Sequence, residues 1–277
     1  MLKCIEAKVL LKAWGIIRQN DILSLLLPGF TKGMEKIISY PISVVYYFFF
    51  GLCLLVFHPI QWVCLKFFGY TGHKKSVDVL NLCLILCTRL IGTRYTFTGR
   101  EKIPVGVPLI IVSNHQSLYD VITIIWYLRK FHPKFVSKQE LGKGIPSVSF
   151  NLRHGGSVLI DRKDPRQALP AIKQMGEYIE QFNRSAVIYP EGTRSKNGKP
   201  KEFAQTGLRI MTKAAPSAYV LPLTINNSWK MARYGYFPLG LGNHLKFTVH
   251  EPIAVSGHSF EEIMEYTEKA VTGAINY

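Results

Sequence analysis

Between Lys36 and Lys66 run 29 consecutive residues without a Lys, Arg, Asp or Glu, and this stretch constrains the chain more than any other feature. A run of that length can supply one membrane-spanning helix. A cleavable signal peptide fits poorly, because the stretch starts late and has no small-residue cleavage site. Pro41 and Pro59 interrupt it, and the 17 residues between them reach roughly 26 Å as a helix, short of a hydrocarbon core of about 30 Å. Both flanks are basic: Lys3, Lys8, Lys12, Arg18, Lys32 and Lys36 before, Lys66, Lys74 and Lys75 after. A single span carries one of these clusters across the bilayer, against the positive-inside bias. A helical hairpin or in-plane anchor avoids the conflict by facing both clusters to anionic headgroups, with Trp62, Phe67, Phe68 and Tyr70 at the interface. Monotopic attachment, by hairpin or in-plane anchor, is the favoured expectation over a true span, at the cytoplasmic face of the cell membrane. Residues 76–91 read as a further apolar helix.

Charge supports an anionic partner. Lys plus Arg number 34 against 18 Asp plus Glu, a net of +16, and the first 100 residues hold 12 basic against 4 acidic side chains. The basic residues are interleaved with apolar runs (48% hydrophobic residues overall, 19% charged) rather than with the solvated basic face of a duplex binder. Membrane and phosphate are therefore the expected partners, and nucleic acid is not. The five cysteines (Cys4, Cys53, Cys64, Cys83 and Cys87) form no CxxC or zinc pattern and read as buried, reduced thiols.

Near residue 95 the pattern changes, giving an N-terminal helical membrane-associating region over 1–94 and an α/β domain over 95–277. Strand-like runs fall at 94–99, 109–114, 134–138, 157–162, 186–190, 219–225 and 244–253. Helix-like runs fall at 118–130, 145–153, 165–183, 202–214 and 259–275. This alternation predicts an α/β fold with a largely parallel central sheet flanked by helices. Reactive groups are then expected in loops at the strand ends.

One such loop reads Ser113-Asn114-His115-Gln116-Ser117-Leu118-Tyr119-Asp120. In a continuous helix, positions five apart lie about 140° from each other; a turn between His115 and Ser117 removes that obstacle to pairing His115 with Asp120. Two readings stand on this fragment alone. Ser117 and Asp120 can simply cap a helix, or His115 can be a general base oriented by Asp120, as in a triad without its nucleophile. No GxSxG-like elbow occurs, so the acceptor alcohol itself can stand in the nucleophile's place.

A second loop, Tyr189-Pro190-Glu191-Gly192-Thr193-Arg194-Ser195, follows another apolar strand. Gly192 permits close backbone approach, and Arg194 offers a planar fork suited to phosphate. Lys196, Lys199 and Lys201 add positive potential. The plain alternative is a surface turn in which Glu191 pairs with Arg194. Arg162 and Lys138 each end a strand and could reach the same mouth. The remaining histidines, among them His58, His73, His132 and His250, show no partner pattern and read as surface or packing residues.

The Asn-His-x4-Asp motif after a strand, followed about 70 residues later by Glu-Gly-Thr-Arg-Ser, resembles the 1-acyl-sn-glycerol-3-phosphate acyltransferase family. The likeness runs through Lys138-Gln139-Glu140-Leu141, Ile160-Asp161-Arg162 and Leu221-Pro222-Leu223, with Tyr189 standing where Phe is usual. The resemblance implies direct acyl transfer, without acyl-enzyme, cofactor or metal. The donor is acyl-CoA or acyl carrier protein, and the acceptor is the sn-2 hydroxyl of lysophosphatidic acid. It implies His115 as base and Asp120 as its orienting carboxylate. Asn114, Lys138, Arg162, Glu191, Gly192, Thr193 and Arg194 are then substrate-binding residues, with Glu191 bracing rather than reacting. Another lysolipid or lyso-amino-lipid acceptor, or a non-catalytic anionic-lipid binder, are the competing readings.

Overall fold

The computed structural model describes residues 28–276; the basic residues before Pro28, and Cys4, lie outside that range. The described residues begin with α1 (Pro28–Arg89), and the helix runs through Pro41 and Pro59. The interruption expected at the prolines falls instead at Gly69, where φ 59° and ψ −154° reverse the chain. A proline deletes one helical N–H and bends the helix, whereas that dihedral pair is open essentially to glycine alone. The two arms fold back on each other, bringing Cys53 Sγ within 3.8 Å of Cys87 Sγ. The result is the hairpin favoured from the charge pattern. Cys53, Cys64 and Cys83 are only half-buried in it, since one face of each arm is open, while Cys87 is buried.

The α/β body follows as β1 (Arg94–Thr98), β2 (Leu109–Ser113), α2 (Tyr119–Tyr127), β3 (Pro133–Lys138), α3 (Val148–His154), β4 (Val158–Ile160), α4 (Pro165–Phe182), β5 (Ser185–Ile188), α5 (Gln205–Ala214), β6 (Tyr219–Asn226), β7 (His244–Val249), β8 (Ile253–Ala254) and α6 (Phe260–Gly273). The sheet order is β1-β7-β6-β2-β5-β3-β4, with β8 against β6. Strands β2 through β6 are mutually parallel, while β7 and β8 run antiparallel to β6. The sheet is thus mixed, with a parallel centre. The run 244–253, expected as one strand, divides in two because the chain turns after Val249 to lay Ile253 and Ala254 on β6.

Burial explains the centre. Every residue of β2 and β5 is buried, as strands covered on both faces must be. Leu109 and Ile111 pack towards α1 and α2, and Ile110 and Val112 towards α4, α5 and α6, following the period-two alternation of a strand. Local signals start the helices. Asp164 caps α4 by accepting from the N–H groups of Arg166 and Gln167, with Pro165 in the first turn. Ser259 and Glu262 form a reciprocal capping box on α6.

The hairpin lies along the body. Tyr46 Oη is 3.2 Å from Tyr119 Oη on α2, Ser147 Oγ donates to Leu54 O, and Tyr70 Oη is 2.8 Å from His132 Nδ1. Its other face leaves Ile37, Val44, Phe48, Leu55, Phe67 and Phe68 exposed, the last at 69%. Contiguous apolar surface of this kind marks an interaction face.

Candidate active site

Because β2 and β5 are parallel neighbours in register (Val112↔Ile188), the loops that follow them leave the sheet side by side at its carboxyl edge. Residues 114–118 form no helix, and α2 starts only at Tyr119. That turn lets His115 and Asp120 meet, with Nδ1 2.8 Å from Oδ2. Oδ2 also accepts from Gln116 N at 2.7 Å and Ser117 N at 2.9 Å. Oδ1 accepts from Ser117 Oγ at 3.2 Å and from Ser228 Oγ. Asp120 is fully buried, whereas the His115 side chain keeps 13% of its surface. With Nδ1–H donated to the carboxylate, Nε2 is the free acceptor of the ring. The capping reading holds beside the pairing: Ser117 Oγ accepts from Tyr119 N at 3.2 Å and donates to Asp120 Oδ1, and Asp120 Oδ2 accepts from Ser117 N.

The second loop is tied to the first through the main chain of His115. Glu191 Oε1 accepts from His115 N at 2.8 Å, and Ser195 N donates to His115 O at 2.8 Å. Glu191 Oε2 accepts from Lys201 N at 3.1 Å, so Glu191 joins three segments and forms no ion pair with Arg194. Burial pushes its carboxyl above the usual range, against the pull of those two N–H groups. The Tyr189 ring stacks on the His115 imidazole, centroids 4.0 Å apart and planes 15° apart, and fixes the plane in which the imidazole lies.

The other expected site residues divide. Arg162 donates to Gly192 O. Partial burial lowers its pKa, Glu140 opposes this, and the like charge of Arg194 lowers it further, so the two guanidinium groups share one region. Arg194 Nη1 donates to Tyr236 Oη at 2.9 Å. Thr193 is exposed on the same turn, and Lys138 is exposed at the end of β3, two strands from His115. Asn114 is held between β2 and β6. Its amide donates to Ile225 O at 2.8 Å and accepts from Ile225 N at 2.7 Å, at 1% exposure, which welds the end of β2 to β6. Ser228, Gln116 and Tyr236 lie outside the expected set; Ser228 and Tyr236 act through contacts remote in sequence, and Gln116 joins them by accepting from Ser228 N at 3.0 Å through Oε1, contacts that no local pattern signals.

Residues 94–226 match the family model described as acyltransferase. The 1-acyl-sn-glycerol-3-phosphate acyltransferase of Helicobacter pylori is 36% identical over 133 residues, covering 45% of this chain and 54% of that one. The enzyme of the same name from Pseudomonas aeruginosa is 26% identical over 201 residues, covering 71% and 76%. A chloroplastic relative from Arabidopsis thaliana is 31% identical over 158 residues, covering 56% and 42%. The chain spans about half the length of the curated relatives it matches. The crystal structure of the 1-acyl-sn-glycerophosphate (LPA) acyltransferase from Thermotoga maritima shares the fold, with a TM-score of 0.69 at 24% identity over 86% of this chain and 95% of that one. Fold, motif order and family model define an acyltransferase domain. Over residues 94–226, just under half of its length, the chain is similar to this acyltransferase family, and the 1-acyl-sn-glycerol-3-phosphate acyltransferases are among the proteins it resembles.

Proposed function

We propose that this chain transfers a fatty acyl group from a thioester, acyl-CoA or acyl carrier protein, to the sn-2 hydroxyl of lysophosphatidic acid, giving phosphatidic acid. The observation that carries the reading is the 2.8 Å contact between His115 Nδ1 and Asp120, which leaves Nε2 as the unprotonated face of a partly exposed imidazole. His115 Nε2 takes the proton of the acceptor hydroxyl as its oxygen attacks the thioester carbonyl; the C–S bond breaks, and the thiolate recovers a proton from the imidazolium. Asp120 stabilises the transient imidazolium, and thiolate leaves well enough that no acyl-enzyme is needed. Arg194, with Arg162 and with Lys138 from the neighbouring strand end, holds the acceptor phosphate and so aims the hydroxyl. The exposed face of the hairpin rests in one leaflet, where lysolipid and acyl chain both arrive.

The test is a product assay. Purified protein is offered lysophosphatidic acid with acyl-CoA or with acyl carrier protein thioester, and phosphatidic acid is followed. Turnover of this acceptor, with little on lysophosphatidylcholine or glycerol 3-phosphate, supports the reading. Transfer to a phosphate-free lysolipid at equal rate overturns the acceptor assignment and keeps the acyl transfer.

A further inference from the structure

A second cationic cleft lies at the edge of the sheet opposite His115. Strands β3 and β5 are parallel and in register from Pro133↔Ser185, so Lys134 and Arg184 enter the sheet side by side at its amino edge. The tip of the hairpin closes over them. Tyr70, directly after the Gly69 reversal, places its ring 3.8 Å from the Arg184 guanidinium and 4.9 Å from Lys134 Nζ, and its hydroxyl 2.8 Å from His132 Nδ1. The cleft is shallow, with about 20 Å³ of enclosed space behind its open mouth, lined by Lys134, His73, His132 and Lys74, with Arg184 on the Tyr70 ring beside it. Its one acidic lining residue is Asp78, already paired with Lys74.

Two groups in this cleft are withdrawn from water. Lys134 is 7% exposed, and its ammonium faces the Tyr70 ring 4.9 Å away without an ion pair among the described residues. His73 is 1% exposed, with Nε2 buried and unpaired among the described residues. A largely buried cation beside Arg184 and Lys74, with only the already paired Asp78 opposing them, is costly. An anion in the cleft supplies that charge and several acceptor oxygens at once.

We propose that this cleft is a second phosphate-binding site, in which phosphoryl oxygens accept from Lys134, Arg184 and His73. It is independent of the acyltransferase reading, because the whole α/β sheet separates it from His115. Phe67 and Phe68, the most exposed aromatic pair of the hairpin, lie two to three residues before Tyr70 in the chain, so the phosphate comes either from a lipid headgroup or from solution.

The experiment uses the full chain in neutral detergent, carrying Arg194→Ala to remove the phosphate contact proposed at the active site. Equilibrium dialysis against radiolabelled inorganic phosphate should show saturable binding, and adding Lys134→Met, an apolar side chain of similar reach, should abolish it. Should circular dichroism show the Lys134→Met protein unfolded, Arg184→Gln in the same background must weaken phosphate binding instead. Flotation with phosphatidylcholine vesicles, with and without phosphatidylglycerol, then separates the sources. Loss of the phosphatidylglycerol-dependent binding in Lys134→Met assigns the site to headgroups. Loss of free phosphate binding with unchanged flotation assigns it to phosphate in solution. Absence of saturable phosphate binding in the Arg194→Ala protein together with flotation that ignores Lys134→Met, or phosphate binding undiminished by both cleft substitutions, overturns the proposal.

Discussion

His115 and Asp120 meet because residues 114–118 form no helix, and the need for this was readable: a strand-like run precedes the histidine, and pairing it with Asp120 calls for a turn between His115 and Ser117. What the sequence left illegible is how Asp120 is held. Its Oδ1 contact with Ser228 spans 108 positions, and only tertiary structure brings such residues together. The two members of the pair should therefore fail differently. His115→Ala is expected to lower kcat by about 10²–10⁴-fold, the usual worth of a positioned base, with the melting temperature nearly unchanged. Asp120→Asn keeps the three N–H contacts if its amide oxygen takes the place of Oδ2, but it turns an NH₂ towards Ser117 Oγ and Ser228 Oγ, which now donate to Oδ1, and removes the charge that stabilises the imidazolium; it should lower both kcat and stability, the latter by about 1–3 kcal/mol. Acyl-transfer kinetics beside thermal melts distinguish them, and near-normal turnover in His115→Ala removes the base. Lys134 offers a pH test. Burial first, then Arg184 and Lys74, lower its pKa from 10.5 to about 7, with Asp78 opposing; Tyr70, His73 and His132 complete its surroundings. The unfolded chain then binds more protons than the folded one between pH 7 and 10.5, so stability contributed by this position rises with pH across that window. The stability of wild type relative to Lys134→Met, without phosphate, should climb from near neutrality upward, by at most about 5 kcal/mol. A flat difference contradicts the burial argument.

Among the elements, the parallel strands and their helices were legible, because β2 and β5 are continuous apolar runs and α4 carries both a cap and a first-turn proline. The hairpin was legible in charge but misplaced in sequence. Pro41 and Pro59 looked like the breaks, yet a long helix absorbs a proline at the loss of one hydrogen bond, whereas Gly69 adopts a backbone state that a side chain forbids. A Cβ built on Gly69 meets nothing within 4 Å, so any penalty at this site is conformational and not steric crowding by neighbours. Gly69→Ala is expected to destabilise the chain by about 1–3 kcal/mol, read as a lower melting temperature in detergent. Gly33→Ala, also without a neighbour within 4 Å but inside the helix, should be neutral or slightly stabilising. Equal effects at the two positions contradict the reversal at Gly69.

At the scale of the whole molecule, the hairpin's length decides its posture. Its first arm, from Pro28 to the reversal at Gly69, extends roughly 60 Å at 1.5 Å per residue, about twice a hydrocarbon core. Contacts hold it to the body from Tyr46 through Leu54 to Tyr70 at the tip. An upright insertion would have to break the Tyr70 contacts with His132 and Arg184 and carry Lys74 and Lys75 across the bilayer. A flat posture keeps those contacts, buries the exposed aromatic face in one leaflet and leaves the lysines among headgroups. The posture is measurable by thiol labelling in sealed vesicles, with all native cysteines replaced and single cysteines introduced at Val105, 84% exposed on the α/β body, and at Lys75 beyond the tip. A membrane-impermeant reagent applied to the body's side should label both positions without detergent. If Lys75→Cys is protected until the bilayer is opened while Val105→Cys reacts at once, the tip has crossed. With a net charge of +16, attachment to anionic vesicles should also weaken as salt shortens the Debye length, whereas the part held by the apolar face should survive. Complete release by salt would leave the hairpin's exposed side chains without the role argued for them.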